Sequence, residues 1–137
     1  MPLDRRLIRL TRGRFSVVGW RTAPPTLLLT TRGRRSGLPR ERPVLYARDG
    51  DAYLVIGSNW GQDHHPAWSA NLLDEPAATV TVAGVTTAVR ATFLTGAERD
   101  RVWPLLLRVW PAYRSYDERA GRTLRIFQLL PITGNSR

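Results

Sequence analysis

The chain has 137 residues, the length of one domain, and its 42% hydrophobic and 23% charged composition is that of a globular protein rather than a disordered one. It contains no cysteine, and all 21 basic residues are arginine, which excludes a disulfide framework, Cys-held metals, thiol nucleophiles, a Schiff-base lysine and a P-loop lysine. The formal charge of +10 is carried by residues 1–48, where twelve arginines stand against Asp4 and Glu41, while nine arginines balance nine acids in residues 49–137. Such asymmetry points to an anionic partner: nucleic acid, an anionic membrane or a small polyanionic ligand.

The expected elements run as follows. Residues 1–20 read as a basic helix and turn, with Leu3, Leu7, Ile8 and Leu10 between arginines. After Ala23-Pro24-Pro25, the run from Leu27 to Thr31 reads as a strand. Next come a polar Gly-Arg loop, 32–40, and two β-rich runs, 42–48 and 52–58, joined by Asp49-Gly50, a strong hairpin signal. A loop over 59–65 leads to a short helix opened by Pro66 and ended by Glu75-Pro76. A second hairpin turns at Gly84 between 77–83 and 85–94. Thr95 and Glu98 have the spacing of a capping box, and the helix that follows must absorb Pro104 by a kink or an early start. A helical segment over 115–120 and a last apolar strand over 124–130 complete the chain, with 133–137 a frayed tail. No repeat or linker divides it, so residues 1–137 read as one domain. Mostly antiparallel strands with short helices between them fit an α+β protein built on a small barrel or coiled sheet.

Three constellations carry chemistry. The loop Thr30-Thr31-Arg32-Gly33-Arg34-Arg35-Ser36-Gly37-Leu38-Pro39-Arg40 sets four arginines, two glycines and three hydroxyls between two strands. Guanidinium forks match phosphate and carboxylate oxygens, and glycines let backbone N–H groups approach an anion closely. The alternative is a solvated turn whose arginines meet surface acids, which are scarce in this third of the chain. The second loop, Gly57-Ser58-Asn59-Trp60-Gly61 through Pro66-Ala67-Trp68-Ser69-Ala70-Asn71, could offer N–H donors and a ring face to a planar ligand. Judged alone, Asn71 is a surface or capping residue. Adjacent His64 and His65, with no other His or Cys, make no metal set. The third is Trp110, Tyr113 and Tyr116, spaced i, i+3, i+6 on one face if helix continues through Pro111. That stripe is either core or the wall of an amphipathic pocket whose phenols orient a substrate. There is no nucleophile elbow or ordered triad, so an enzyme of this sequence would take its reactive group from a cofactor.

In sequence order, Thr30-Thr31-Arg32-Gly33-Arg34-Arg35-Ser36-Gly37-Leu38-Pro39-Arg40, the Gly57-Ser58-Asn59-Trp60-Gly61 loop and Pro66-Ala67-Trp68-Ser69-Ala70-Asn71-Leu72 resemble the deazaflavin-dependent nitroreductase family. The likeness runs from about residue 26 to 130 and includes Tyr113-Arg114-Ser115-Tyr116 with Arg122-Thr123. The resemblance implies a split β-barrel of the FMN-binding-protein type. It also implies coenzyme F420, an 8-hydroxy-5-deazaflavin with a phosphate and an oligoglutamate tail, used when reduced as a hydride donor to nitroaromatics, quinones or activated alkenes. By the same resemblance Arg34, Arg35, Ser36 and Arg40 hold phosphate and tail. Pro43, Ser58, Asn59, Gly61, Pro66, Ala67, Trp68 and Asn71 shape the rest of the cofactor groove. Trp110, Tyr113 and Tyr116 line the acceptor pocket, with Ser58, Tyr113 and Tyr116 the catalytic candidates. Arg35 and Asn59 stand where lysine is common, and Trp110 where tyrosine is, so acceptor preference does not transfer.

Two rivals stay open at the level of sequence. One is a non-catalytic split-barrel binder of FMN, haem or a fatty acid. The other is a nucleic-acid binder driven by charge, although no nucleic-acid module is recognisable. No stretch reaches the roughly 18 to 20 apolar residues of a membrane span, and arginines interrupt the N-terminus too often for a signal peptide. A cytoplasmic protein is expected, with residues 1–14 either resting on an anionic membrane surface or packed on the barrel. Homodimerisation is common for split barrels, and the sequence locates no interface for it.

Overall fold

The computed structural model describes residues 24–58, 64–120 and 123–132. The basic helix expected over 1–20, the tail 133–137, and Asn59 and Gly61 lie outside the described residues. Seven strands form one antiparallel sheet: β1 (Thr26–Arg32), β2 (Pro39–Leu45), β3 (Ala47–Asp49), β4 (Ala52–Ile56), β5 (Ala77–Val82), β6 (Val85–Leu94) and β7 (Ile126–Pro131). Among the described residues three helices accompany them: α1 (Ala67–Asp74), α2 (Gly96–Val109) and α3 (Tyr113–Ala120).

The strand order is β2-β1-β5-β6-β7-β4-β3. Its two ends, β2 and β3, are separated in the chain by Tyr46 alone, so the sheet curls until its ends meet. The Tyr46 N–H donates to Pro25 O at 3.1 Å, which extends the β1–β2 ladder by one residue up to the point where β2 passes into β3. The architecture is an α+β split barrel, as the pattern of short apolar strands implies.

Strand parity decides where the cores lie. On β1, Leu27, Leu29 and Thr31 are buried and alternate with less buried neighbours. Strand β4 is buried on both faces: Leu54 and Ile56 enter one core, Val55 the other. The first core packs α2 and α3 on the sheet through Val102, Leu106, Tyr113 and Leu124. The second fills the barrel with Leu27, Leu29, Val80, Val89, Phe127 and Leu129, closed by Trp68 and Leu72 of α1. The near-continuous apolar run of β4 follows from this double burial.

Three local outcomes differ from the sequence reading or refine it. Thr95 is the N-cap of α2, with the extended backbone of that position, but its side chain makes no cap bond and the Thr95–Glu98 box does not form. Glu98 instead meets Arg101 at 3.1 Å, and the Arg101 guanidinium also grips Asp49 at 2.9 Å, tying α2 to β3. Arginine beside Asp49 holds its carboxyl below the usual range, chiefly through that hydrogen bond. Helix α2 runs through Pro104 and ends instead before Pro111, where Trp110 turns extended (φ −147°, ψ 91°). The condition for Trp110, Tyr113 and Tyr116 to share one helical face, helix through Pro111, is therefore not met, and a separate helix starts at Tyr113, as the expected segment over 115–120 anticipates.

The second hairpin turns on Ala83 and Gly84, both left-handed (φ 51° and 83°), the geometry of a two-residue primed turn. Alanine there bears a Cβ penalty of roughly 1 kcal/mol. Ala83→Gly is expected to raise stability by about that amount, read as a shifted urea midpoint at unchanged m. An unchanged or lower midpoint would show that the turn is not strained.

Candidate functional site

The Gly-Arg loop is held by its own backbone. Gly33 N–H donates to Leu38 O and Gly37 N–H to Gly33 O, both at 2.8 Å, and the Leu38 N–H donates to Ser36 Oγ at 3.1 Å. A Cβ on Gly33 would sit 2.8 Å from Ser36 Oγ and 3.2 Å from Leu38 O, so the tight turn needs glycine. Asn71 fastens this loop to α1. Its Oδ1 accepts the Arg34 N–H at 3.1 Å and its Nδ2 donates to buried Thr31 Oγ1 at 3.0 Å. Asn71 is itself buried, which corrects its reading as a surface or capping residue. It braces the loop from within. Arg34, Arg35, Ser36 and Arg40 are all exposed above it.

Register adds a residue that motif reading missed. Thr31 pairs with Arg40, Leu29 with Arg42 and Leu27 with Val44, so these three β2 residues share the face whose β1 partners are buried. Two of the three are arginines. An edge strand with inward-pointing charge also resists pairing with other strands. The i, i+2 spacing of Arg40 and Arg42 was the available signal. Among the described residues, no ion pair reaches Arg34, Arg35, Arg40 or Arg42.

Arg42 lies at a cleft of about 420 Å³, within the range of small-ligand sites. Pro43, Val44 and Leu45 of β2 form one wall, Ser58, Pro66 and Trp68 another, and Trp110, Tyr113 and Tyr116 a third. Gly57 allows the second wall to close, because a Cβ there would meet the Pro66 ring at 3.3 Å. Ser69 and Arg125 steady the start of α1: Ser69 Oγ donates to Pro66 O at 2.9 Å and accepts from Arg125 Nη1 at 3.1 Å. Ala67 is exposed on the first turn of α1. The structure thus gathers Pro43, Ser58, Pro66, Trp68 and the three aromatics around one cleft. Arg34, Arg35, Ser36 and Arg40 sit in the adjoining loop and strand, and Asn71 stands behind them.

The aromatic wall belongs both to the core and to the cleft. Tyr113 is buried in the first core, against which Trp110 and Tyr116 pack, and all three line the cleft. Tyr113 and Tyr116 meet edge-on with centroids 6.3 Å apart, and Trp110 Nε1–H donates to Tyr116 Oη at 3.4 Å. Burial, with Tyr116 adding to it, raises the Tyr113 phenol above its ordinary value. The folded state therefore holds that proton more tightly than the unfolded chain. Its stabilising share is complete below an unfolded value of about 10 and declines as pH rises past it. Tyr113→Phe is expected to flatten this alkaline limb in thermal melts taken across pH. A limb of unchanged slope would show that other groups produce it.

The donor set fits a ligand with a planar ring and an anionic tail: aromatic and proline walls in the cleft, and exposed guanidinium groups leading out of it. A model of the family described as F420H(2)-dependent quinone reductase matches residues 5–131. The chain belongs to this family. F420H(2)-dependent quinone reductase Rv1261c of Mycobacterium tuberculosis is 34% identical over 110 residues, covering 78% of this chain and 74% of that protein. A solved structure described as an F420-H2 dependent reductase, FDR-A, matches with a TM-score of 0.71 and 28% identity, over 77% of this chain and 93% of that one. A haem-binding protein from Mycobacterium smegmatis matches with a TM-score of 0.62 and 18% identity, over 80% of this chain and 47% of that one, which shows the shared fold alone. As a member, this F420H(2)-dependent quinone reductase homologue is an oxidoreductase whose cofactor is coenzyme F420, in agreement with the resemblance read from the sequence. Among the described residues, no helix is long and apolar enough to cross a membrane, and no group of three His, Cys, Asp or Glu could hold a metal.

Proposed function

We propose that this chain binds coenzyme F420 with its phosphate and tail along Arg34, Arg35, Arg40 and Arg42, and its ring in the cleft between β2 and α1. When bound and reduced, the cofactor supplies a hydride. A quinone, or another electron-poor acceptor such as a nitroaromatic or activated alkene, would lie against Trp110, Tyr113 and Tyr116. The single observation that carries this reading is the register that turns Arg40 and Arg42 onto one face at the mouth of an aromatic cleft. Ser58 lies on the wall between the two ligands, and Asn71 acts by holding the arginine loop in shape. The protein contributes positioning and exclusion of water rather than a covalent partner.

Titration of the purified protein with F420, followed by cofactor fluorescence beside an equal titration with FMN, tests the reading. Saturable F420 binding with FMN ignored is expected, followed by turnover of quinones. FMN binding alone would keep the fold and overturn the chemistry. The proposal extends to a cytoplasmic location, to homodimers and to contact of residues 1–14 with an anionic membrane surface. Co-sedimentation with anionic liposomes that survives removal of residues 1–14 would retire the membrane contact.

A further inference from the structure

The inference concerns Trp110 and rests on the acceptor site proposed above. Helix α2 ends at Val109, Trp110 before Pro111 is extended, and the chain turns at 110–112 and restarts as α3. That turn brings the Trp110 indole beside Tyr116, with Nε1–H directed at Tyr116 Oη at 3.4 Å. An indole N–H is a donor only. In this contact the Tyr116 oxygen can only accept, so its hydroxyl proton lies away from Trp110. Both side chains line the cleft.

We propose that Trp110 is a positioning residue whose indole N–H fixes the Tyr116 oxygen as an acceptor and so presents the Tyr116 hydroxyl as proton donor to a bound quinone. Hydride addition leaves the quinone as a hydroquinone anion, one proton short of product. The Tyr116 O–H bond breaks as the product O–H bond forms, and the negative charge passes to the Tyr116 oxygen. There the Trp110 N–H bond becomes charge-assisted, so it is stronger as the proton leaves than before. Tyr116 regains its proton from solvent, which receives one when the reduced cofactor is oxidised by two electrons.

Trp110→Phe keeps an aromatic wall and removes the donor. It is expected to lower kcat about tenfold, a larger change than in KM for the quinone, with Kd for F420 near wild type. Trp110→Tyr, which returns a donor, should recover most of that loss. The double variant W110F/Y116F should be no slower than Y116F alone. In the protein without cofactor, the Trp110 indole N–H resonance should shift in Tyr116→Phe. Additive losses in the double variant, or an indole resonance that Tyr116→Phe leaves in place, would overturn the inference. A wild type that binds F420 but reduces no quinone would overturn the acceptor reading, and proton donation with it; the indole resonance reports on the contact in either case. If Trp110→Phe does not fold, Trp110→Tyr and that resonance carry the test.

Discussion

Replacing Arg40 and Arg42 together with alanine should weaken F420 binding by about a hundredfold. Each guanidinium offers charge-assisted bonds to a phosphate or carboxylate, worth on the order of 1.5–3 kcal/mol when desolvated. Both groups are exposed, so the lower end applies to each, and two such losses make about 3 kcal/mol, or roughly a hundredfold. Stability should hardly change, because neither arginine is part of a core. The control is Arg90→Ala, an exposed arginine on β6, three strands from β2 in the sheet order. Fluorescence titration at fixed ionic strength measures all three proteins, and the Arg40/Arg42 effect should shrink as salt rises. If Arg90→Ala loses as much affinity as the double variant, general charge rather than the β2 face attracts the cofactor.

The second large effect is expected at Asn71→Leu. Leucine has the same branching but can neither accept the Arg34 N–H nor donate to Thr31 Oγ1. Thr31 is buried, so its hydroxyl is left unsatisfied away from water. Two lost hydrogen bonds and the desolvation they leave uncompensated amount to about 3 kcal/mol. For a chain of this size that lowers Tm by about 10 °C. F420 affinity should fall as well, because the arginine loop loses its tie to α1. Asn71→Asp retains the acceptor for Arg34 and should lie between the two. A leucine variant with wild-type Tm would show that the brace adds nothing, and one with lowered Tm but unchanged affinity would separate loop shape from binding.

Much of this site was legible because its signals are local. Asp49-Gly50 marks the first hairpin, whose turn is Gly50-Asp51 between the paired Asp49 and Ala52; Pro66 opens α1 and Glu75-Pro76 closes it, each through backbone constraints that a few residues fix. The arginine loop showed itself by charge and glycine placement. Asn71 did not, because its role depends on the approach of residues 37 and 40 positions away in sequence. Arg42 was hidden for a related reason. Alternation along β2 says that Arg40 and Arg42 share a face, but only pairing with β1 says which face it is. Thr95 stands at the N-cap as its spacing implies, but the box does not close: Glu98 turns to Arg101, itself engaged by Asp49 from β3. For the aromatic stripe, one helical face required helix through Pro111, and that condition is not met. Pro111 ends the helix, and the turn it imposes creates the Trp110–Tyr116 contact that a continuous helix would not make.

The position of β7 sets when this protein can fold during synthesis. It is the last of the seven strands to be made, yet it lies inside the sheet, with β6 on one side and β4 on the other. A nascent chain that has produced only β1 to β6 holds two separate ribbons, β2-β1-β5-β6 and β4-β3, with Phe127 and Leu129 still missing from the barrel. Neither ribbon can bury its apolar face before β7 leaves the ribosome. Folding therefore waits for β7, and a chain stalled before Ile126 would present unpaired, apolar strand edges to chaperones.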